Sequence, residues 1–336
     1  MGDASESGPG LVLRGRVVAT DRPLVMAIVN ATPDSFSDTS PAASDEARVA
    51  HALAALDEGA DLVDVGGQSG ITGVPEIAEE VEIARVLPVV AGILAARPGA
   101  LVSVDTYRPA VTEAVLDAGA ALVNDVSCLR HPEVARACAA AGAGLVVMHT
   151  KVPPKQRFQE PDAYGDVSAE VAAVLADRLA VAAGLGVDPA ATVVDPGVDY
   201  AKTPAQTVAL LRDLAPVRAL GRPVLYALSR KDFVGALTAT RPRDRGAGTL
   251  AAIGHVGPQP GAIFRVHDVR ATVEYLTVAR ALAGQVEVAP GLVLADELRW
   301  QRGRPPTDGM AGEAGVVVPR SPVAAADRAV EAGGSR

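Results

Sequence analysis

The stretch "LVSVDTYRPAVTEAVLDAGAALVND" (residues 101–125) places two short apolar runs on either side of an amphipathic segment. The runs are "LVSVD" (101–105) and "ALVND" (121–125), and residues 109–118 between them carry apolar side chains at the helical period. Apolar runs this continuous are typical of parallel strands that are buried on both faces. The stretch therefore predicts a strand–helix–strand unit with parallel strands.

The same arrangement recurs along the chain. Six further runs have this character: "LVMAIV" (24–29), "LVDV" (62–65), "GLVVMH" (144–149), "TVVDP" (192–196), "PVLYAL" (223–228) and "AIFRVHD" (262–268). Helical periodicity is also present in residues 76–96, 167–183, 205–219 and 270–283. Eight buried strands separated by helices favour an α/β fold, a closed (β/α)₈ TIM barrel, over an open doubly wound sheet.

The sequence predicts three segments. Residues 1–10 are small, polar and glycine-rich, which predicts a flexible N-terminal tail. Residues 11–285 would form the barrel, with "LVLRGRVVAT" (11–20) as a hairpin beneath it. Residues 286–336 would be a C-terminal extension that is largely flexible, because its later part mixes Pro, Gly and Ala without a sustained period.

The composition argues against several classes of protein. The chain has 336 residues, of which 49% are hydrophobic, and its net charge is −9 with interspersed acidic and basic residues, so no surface for nucleic acid is predicted. No apolar stretch is long enough to span a membrane. Cys128 and Cys138 have no metal-ligand spacing, and the N-terminus lacks a signal-peptide pattern. These features predict a cytoplasmic protein.

Polar side chains concentrate where the predicted strands stop. They are Asn30, Asp64, Asp105, Asn124, Asp125, His149, Asp195, Arg265, His267 and Asp268. In a barrel the carboxyl ends of the strands share one rim, so side chains distant in sequence converge on one pocket there. Any single Asp before a helix is explained as readily as a helix cap, and Asp105 and Asp195 each allow that alternative.

The rim residues suit a ligand that combines a flat, hydrogen-bonding ring with an anionic group. Carboxylates and amides can pair with ring N–H groups, whereas Arg265, His267 and "SRK" (229–231) supply positive charge for a phosphate. The alternative for "SRK" is a solvated loop. Its place after the seventh strand, where barrels often bind phosphate, favours a binding role.

Six motifs resemble those of dihydropteroate synthases, in the same order. They are "MAIVNATPDSFSD" (26–38), "SVDTYRPAV" (103–111), "VNDVS" (123–127), "DPGVDYAKT" (195–203), "LSRKDFVG" (228–235) and "FRVHDV" (264–269). The resemblance covers roughly residues 11–284, and six motifs at the appropriate strand ends are far more specific than one.

The resemblance implies a transferase of folate biosynthesis. In that reaction the amine of p-aminobenzoate displaces pyrophosphate from 6-hydroxymethyl-7,8-dihydropterin diphosphate and gives 7,8-dihydropteroate. The residues that would hold the pterin are Asp105, Asn124, Met148, Asp195, Tyr200 and Lys231. Asp105, Asn124 and Asp195 would face the amino-pyrimidine edge of the ring, and Lys231 its carbonyl side.

The resemblance also implies where the remaining groups bind. The diphosphate would lie against Asn30, Arg265 and His267, with Mg²⁺ at Asn30. The p-aminobenzoate pocket and its cover would comprise Phe36, Asp38, Ser229 and Arg230. The residues that would act in catalysis are Asp105, Lys231, Arg265 and His267. Catalysis would depend on stabilising the departing diphosphate and would need no protein nucleophile. Small-molecule substrates are thus the expected partners, together with a second copy of the chain in a homodimer.

Two segments depart from the family pattern. Where the family typically reads Gly-Gly-Glu-Ser-Thr-Arg-Pro-Gly, residues 66–73 read "GGQSGITG", so that Gly70, Ile71 and Thr72 replace Thr-Arg-Pro. Losing the arginine and the proline is expected to weaken the ordering of this second loop over the substrates. The other departure is "TLAAIGHVGPQPGA" (249–262), whose glycines and prolines, from Gly254 onward, predict a shortened helix.

Three hypotheses stay open. The first is a working dihydropteroate synthase with an altered second loop, supported by the complete set of pterin and anion residues. The second is a divergent paralogue that keeps the pterin pocket but has no or altered synthase activity, supported by the change at residues 70–72. The third is a pterin-dependent methyltransferase that shares the barrel. Retention of "SRK" and "RVHD", which serve a diphosphate, argues against it.

Overall fold

The computed structural model describes residues 10–32, 44–70 and 73–299, and it confirms the predicted barrel. The strands in these residues are β1 (Leu11–Leu13), β2 (Arg16–Val18), β3 (Leu24–Asn30), β4 (Leu62–Gly66), β5 (Val102–Asp105), β6 (Leu122–Asp125), β7 (Gly144–Met148), β8 (Thr192–Asp195), β9 (Val224–Tyr226) and β10 (Ala262–Val266). Strands β3 to β10 are parallel and follow one another in chain order, and β10 pairs back onto β3 to close the barrel. The predicted strand ends differ from the observed ones by at most two residues.

Helices connect the barrel strands, because parallel neighbours need a crossover that returns the chain to the same end of the sheet. The helices of the described residues are α1 (Asp45–Asp57), α2 (Glu79–Ala96), α3 (Pro109–Asp117), α4 (Pro132–Ala141), α5 (Val167–Gly184), α6 (Pro204–Arg212), α7 (Ala215–Arg218), α8 (Asp232–Thr238), α9 (Gly246–Val256) and α10 (Val269–Leu282). Short 3₁₀ turns occur at Pro189–Ala191, Pro242–Asp244 and Asp296–Leu298.

Two predicted helices differ from the observed ones in their extent. The segment predicted as helical over 76–96 begins only at Glu79, because the backbone N–H of Ile77 donates to the Gln68 side chain in the preceding loop. The segment predicted over 205–219 is two helices, α6 and α7. Pro216 lies in the first turn of α7, where its missing N–H is tolerated, whereas it would interrupt a continuous helix.

Helix α9 ends where the sequence predicts a break, but not at the first glycine. Gly254 lies inside the helix, and a Cβ atom at this position would overlap the hydroxyl of Tyr275 on α10. The absence of a side chain therefore permits close packing here rather than breaking the helix. Gly257, with φ +85°, ends α9 in a conformation that other residues rarely adopt.

Alternation along the strands decides which side chains enter the barrel. In β7, Leu145 and Val147 pack in the layer between the sheet and the helices, whereas Val146 belongs to the cluster that fills the barrel interior. Strand β3 alternates in the same way, since Val25 faces the helices and Met26 faces inward. A residue's phase along its strand therefore predicts whether it can reach a pocket inside the barrel.

The N-terminal hairpin closes one end of the barrel, as the sequence predicts. Strands β1 and β2 are antiparallel, and Leu11 and Leu13 are each 1% exposed. They pack in one cluster with inward-facing residues of the barrel strands, including Leu24 and Met26 at the start of β3. Apolar side chains thus fill the amino-terminal end of the barrel, which leaves the carboxyl-terminal end for a ligand.

The described residues divide into two units at the boundary between Leu276 and Thr277. The first unit contains the barrel. The described part of the second, residues 277–299, contains the end of α10 and the 3₁₀ turn Asp296–Leu298. Most of the two predicted tails falls in residues 1–9 and 300–336, outside the described chain, so their boundaries and flexibility stay predictions. None of the helices described could cross a lipid bilayer.

Candidate active site

The strand residues predicted to bind the ligand all lie at positions whose side chains face the inside of the barrel, which we call the inward phase. They are Asn30 in β3, Asp105 in β5, Asn124 in β6, Met148 in β7, Asp195 in β8 and Arg265 in β10. Ser229 and His267 continue the same phase just beyond β9 and β10, and both line the pocket. The structure thus brings these residues to the carboxyl end of one barrel. Phe36 and Asp38 lie outside the described residues.

Asp64 is the centre of a hydrogen-bond network beneath the pocket. Its buried carboxylate accepts from Ser103 Oγ at 2.6 Å, from Asn124 Nδ2 at 3.1 Å and from Arg265 Nε at 2.6 Å. Because a carboxylate only accepts, Asp64 orients the Asn124 amide with its nitrogen toward itself. The oxygen Oδ1 of Asn124 is buried and has no hydrogen-bond partner among the described residues, so it can accept from a ligand.

Arg265 also bonds a second carboxylate. Its Nη2 lies 2.9 Å from Oδ2 of Asp105, whose side chain is 26% exposed. Burial raises the pKa of Asp105 to about 7, with Arg265 opposing the shift and Asp64 adding to it. Burial alone would lower the pKa of Arg265, but Asp64 and Asp105 hold it above its ordinary value. Arg265 is therefore a permanent cation shared between two acids.

His267 is oriented by Ser229. Nδ1 of the imidazole lies 2.9 Å from Ser229 Oγ, and the same hydroxyl oxygen accepts from the backbone N–H of His267 at 3.2 Å. The serine hydroxyl is then free to donate to Nδ1, which leaves the ring hydrogen on Nε2. Burial, helped by Arg230 and Arg265, lowers the pKa of His267 to about 3. The pocket therefore contains a neutral imidazole that can donate one hydrogen bond.

Asp195 and Lys231 are two further ionisable residues of the site. Asp195 is 2% exposed and accepts from the backbone N–H of Gly197 at 2.7 Å, and burial raises the pKa of its carboxyl group. The ammonium group of Lys231 lies 4.5 Å from the ring centroid of Tyr200, and burial lowers its pKa. An acid, an aromatic face and a cation are thus adjacent.

A cavity of about 610 Å³ opens above these residues. Its lining includes Ser229, Arg230, Lys231, Arg265 and His267. It also includes Tyr200, Gly70 of the second loop and residues 152–159 of the loop after β7. Asn124, Met148 and Asp195, each at most 2% exposed, do not line it. Arg265 lines the cavity and also bonds the carboxylates beneath it.

The described part of the second loop is held at both ends. Gln68 donates from Nε2 to the hydroxyl of Tyr107 at 3.1 Å and accepts from the N–H of Ile77 at 3.0 Å. Lys155, in the loop after β7, donates from Nζ to the carbonyl of Ser69, and its own backbone carbonyl accepts from the N–H of Gly73 at 3.1 Å. Residues 71 and 72 lie outside the described chain. A lysine from another loop therefore contacts the segment that lacks the arginine.

Three strand-end residues expected at the pocket lie elsewhere, which corrects the sequence prediction. Asp125 has the phase that faces the helices, and its Oδ1 accepts from the N–H of Ser127. His149 has the same outward phase and contacts Lys202. Asp268 accepts from the N–H of Ala271 in the first turn of α10. For Asp268 the helix-cap alternative is correct.

Sequence comparison agrees with this geometry. Residues 26–267 match the family described as "Pterin binding enzyme". A dihydropteroate synthase of Mycobacterium leprae is 41% identical over 264 residues, which are 76% of this chain and 92% of the relative. The chain belongs to the dihydropteroate synthase family.

One similar member of the dihydropteroate synthase family carries a name that marks it as inactive. The "Inactive dihydropteroate synthase 2" of Mycobacterium leprae is 40% identical over 283 residues, covering 81% of this chain and 95% of the relative. A dihydropteroate synthase of Xanthomonas albilineans, solved with 4-aminobenzoic acid, superposes with a TM-score of 0.74 at 41% identity, covering 82% and 99% of the two chains. Relatives named as a synthase and as an inactive synthase are therefore similar to this chain at nearly the same identity.

The sequence does not identify every residue of this synthase-family site. It places Asp64 at a strand end but does not assign it to the binding set. Its phase in β4, shared with Leu62, could have shown that it faces inward. Gln68, Lys155 and Lys202 carry no such signal, because each has a contact with a residue that is distant in sequence, namely Tyr107, Ser69 and His149.

Proposed function

We propose that the protein is a dihydropteroate synthase. It would bind 6-hydroxymethyl-7,8-dihydropterin diphosphate inside the barrel and transfer the pterinylmethyl group to p-aminobenzoate, with release of pyrophosphate. The observation that carries the proposal is the network around Asp64. This network joins an amide and a carboxylate suited to a pterin, Asn124 and Asp105, to a cation suited to a diphosphate, Arg265.

Recognition of the pterin would use acceptors that the fold has already oriented. Asp195 and Asp105 present carboxylate oxygens, and Asn124 presents the oxygen Oδ1 that has no partner in the described chain. The amino-pyrimidine edge of a pterin carries N–H donors that match them. A buried acceptor without a partner is unfavourable, so filling it gives selectivity for a ring that donates at this position.

Binding of the pterin requires Arg265 to move. Its guanidinium bonds both Asp64 and Asp105 at the floor of the cavity. Rotation away from Asp105 would free that carboxylate for the pterin and direct the guanidinium toward the diphosphate, while the bond to Asp64 keeps the arginine in the site. Arg265 would then bind the anion next to the Nε2 hydrogen of His267.

The reaction breaks the bond between the pterin methylene carbon and the diphosphate oxygen and forms a bond from that carbon to the p-aminobenzoate nitrogen. The electron pair of the broken bond leaves with pyrophosphate, and the proton that the amine loses passes to solvent. Negative charge grows on the departing oxygens, where His267 and the Arg265 guanidinium, once turned toward the diphosphate, donate hydrogen bonds. The carbon acquires positive charge, which the electron-rich pterin ring stabilises. No residue has to attack the substrate covalently.

Mg²⁺ is proposed to enter with the diphosphate. Magnesium sites in phosphate-binding enzymes combine one or two protein oxygens with substrate phosphate oxygens. Asn30, at the end of β3 and in the inward phase, offers an amide oxygen of this kind, and in the described chain no cluster of three or more His, Cys, Asp or Glu residues could hold a metal by itself. The ion would supply charge neutralisation for the leaving group.

The second candidate function is a pterin-binding protein without synthase activity. The replacement of Thr-Arg-Pro by Gly70, Ile71 and Thr72 favours it, as does the 40% identity to a relative named inactive. The contacts of Gln68 and Lys155 favour the synthase, because they hold the second loop on both sides of that replacement. No comparable observation favours a methyltransferase.

Turnover and binding, measured separately, test the two candidates. Purified protein with the pterin diphosphate, p-aminobenzoate and Mg²⁺ is expected to release pyrophosphate and form dihydropteroate, measured by chromatography. Calorimetry with the pterin diphosphate alone reports the binding step. Pterin binding without turnover would favour the second candidate, and the triple replacement Gly70→Thr, Ile71→Arg, Thr72→Pro would then show whether the loop is the cause. Absence of pterin binding would contradict both candidates.

A homodimer and a cytoplasmic location are also proposed. The dimer rests on the family resemblance, and light scattering of the purified protein tests it. The location is supported by Cys128 and Cys138, which are both buried and free rather than joined in a disulfide.

A further inference from the structure

Lys202 is a buried cation behind the cavity wall. Its side chain is 0% exposed, and its Nζ lies 2.9 Å from the carbonyl oxygen of Gly197, 3.1 Å from that of Tyr200 and 3.0 Å from Nδ1 of His149. An ammonium group has three hydrogens, so these three acceptors satisfy it completely. Nδ1 of His149 must then accept, which leaves the ring hydrogen on Nε2.

The two carbonyls belong to a turn that carries one wall of the pterin site. Backbone φ angles are +70° at Gly197, +65° at Asp199 and +50° at Ala201, a region that is unfavourable for residues with a side chain. A Cβ atom at Gly197 would overlap the carbonyl oxygen of His149, so the turn passes directly over the end of β7. Between these positions, the Tyr200 ring lines the cavity.

Other contacts fix the remaining sides of the turn. The carboxylate of Asp199 accepts from Thr207 Oγ1 at 3.1 Å and from the N–H of Phe233 at 3.2 Å. The hydroxyl of Tyr164 donates to the carbonyl of Ala201 at 3.0 Å. Lys202 is the contact that ties the inner carbonyls of the turn to His149, and therefore to the barrel strand.

We propose that Lys202, paired with His149, is a positioning residue for the pterin site. Its ammonium group would hold the turn 197–200 in the conformation that places the Tyr200 ring against the pterin. The proposal rests on the proposed function, since it assumes that a pterin binds beside Tyr200. Lys202 itself would not contact the substrate.

The pair also predicts a pH dependence of pterin binding. Burial lowers the pKa of Lys202 to about 7, and burial, Lys202 and Lys151 lower that of His149 to about 3. The charged and titratable groups that face Lys202 are Asp195, Asp199, Lys231, Lys151, His149 and Tyr164. When Lys202 loses a proton, one of its three hydrogen bonds must break or His149 must change tautomer. Pterin affinity should therefore fall as pH rises through the pKa of Lys202.

The test compares Lys202→Met with Lys151→Met. Lys151 lies over the same Tyr164 ring, at 3.7 Å from its centroid, but pairs with Glu170 and does not contact the turn carbonyls. Calorimetry with the pterin diphosphate is done from about pH 6 to pH 9, a range that spans the titration of the lysine. Because the ligand is the same for every protein, its own titration cancels in the comparison.

Lys202→Met is expected to raise the Kd for the pterin about tenfold at the acidic end, which corresponds to the loss of one charged hydrogen bond. It should also remove the pH dependence that comes from Lys202, whereas Lys151→Met should keep it with a midpoint moved upward, because Lys151 lowers the pKa of Lys202. Equal Kd values and equal pH profiles for wild type and Lys202→Met would overturn the positioning role while leaving the proposed function intact. Failure of the wild type to bind the pterin would overturn the proposed function and this role with it.

A second pair of variants covers the case in which Lys202→Met does not fold, as judged by circular dichroism. His149→Gln keeps a hydrogen-bond acceptor for Lys202, whereas His149→Leu removes it. The expected result is near-normal pterin affinity for the glutamine variant and weaker affinity for the leucine variant. Equal affinity of the two variants would contradict the role assigned to the pair.

Discussion

Nε of Arg265 lies 2.6 Å from the carboxylate of Asp64, although the two residues are 201 positions apart in the chain. Asp64 is in β4 and Arg265 is in β10, on opposite sides of β3 in the closed barrel. The contact joins the floor of the proposed pterin site to the cation proposed to bind the diphosphate. In the proposed complex, one buried pair would therefore set the positions of both the ring and the anion.

Asp64→Asn should damage both stability and function. The substitution keeps the shape of the side chain but leaves Arg265 with only Asp105 as a charged partner, and breaking a buried ion pair costs about 3–5 kcal/mol. We expect the free energy of unfolding to fall by an amount toward the lower end of that range, because Asp105 remains. We also expect weaker pterin binding. Urea unfolding measures the first effect and calorimetry the second.

Asp61→Asn is the matched control for Asp64→Asn. Asp61 is also a buried carboxylate, and it pairs with Arg22 and accepts from the N–H of Val25 near the start of β3, at the opposite end of the barrel. This variant should lose stability without changing the Kd for the pterin. A similar loss of pterin affinity in both variants would show that Asp64 acts only through overall stability.

Asp195→Ala should abolish pterin binding. Asp195 is buried at the end of β8 with the inward phase, and its carboxylate is proposed to accept from the pterin ring. Asp268→Ala is the control, because Asp268 caps the exposed start of α10 and its loss should cost about 1 kcal/mol of stability without affecting the site. Calorimetry measures both variants, and unchanged pterin binding in Asp195→Ala would show that the site is wrongly assigned.

His267 should remain neutral in the ligand-free protein through the physiological pH range. Its pKa is lowered to about 3. The imidazole in the unfolded chain therefore takes up a proton at about pH 6.5 and below, whereas the imidazole in the native protein stays neutral there. The residue therefore lowers the free energy of unfolding as pH falls below that value. Histidine NMR signals, assigned with His267→Gln, should show no titration of this ring between about pH 5 and 8.

Inorganic pyrophosphate should raise the pKa of His267. An anion next to the imidazole favours its charged form, so the NMR midpoint is expected to move upward when pyrophosphate is added. An ordinary midpoint near pH 6.5 without the anion, or no change on its addition, would contradict the proposed burial and anion contact.

Lys155→Met should weaken the binding of p-aminobenzoate more than the binding of the pterin. Lys155 contacts the second loop at Ser69, so its loss is expected to loosen the cover of the cavity. Removing one charged hydrogen bond predicts an increase of about tenfold in the KM for p-aminobenzoate, with little change in the Kd for the pterin. Steady-state kinetics and calorimetry measure the two constants.

Arg157→Met serves as the control for Lys155→Met. Arg157 also lines the cavity, but its side chain donates to Gln159 within its own loop and not to the second loop. If both variants raised the KM for p-aminobenzoate equally, general loss of positive charge at the cavity, rather than the contact with Ser69, would be responsible.

The sequence predicted most of the secondary structure because it depends on local patterns. The apolar runs of 101–105 and 144–149 and the amphipathic residues 109–118 each carry a period that is visible without neighbours. Helix ends were less predictable. Pro216 divides a predicted helix whereas Gly254 does not, because Gly254 is in the interior of α9, where it packs against Tyr275.

The candidate site was predicted in part. Asn30, Asp105, Asn124, Asp195 and Arg265 were selected because polar residues end their strands, and the structure brings them to one end of the barrel. The same rule selected Asp125 and His149, which have the opposite strand phase and face the helices. A polar strand end is therefore insufficient unless the phase is also considered.

The sequence by itself determined the alternation of strands and helices, the closed (β/α)₈ fold and the chemistry available at the strand ends, since each depends on short-range periodicity and residue type. Only the tertiary structure decided which of those groups touch. Barrel closure and strand register bring Arg265 to Asp64, and loop packing brings Lys155 to Ser69 and Lys202 to His149. Contacts of this kind depend on side-chain direction across distant segments, which local patterns do not encode.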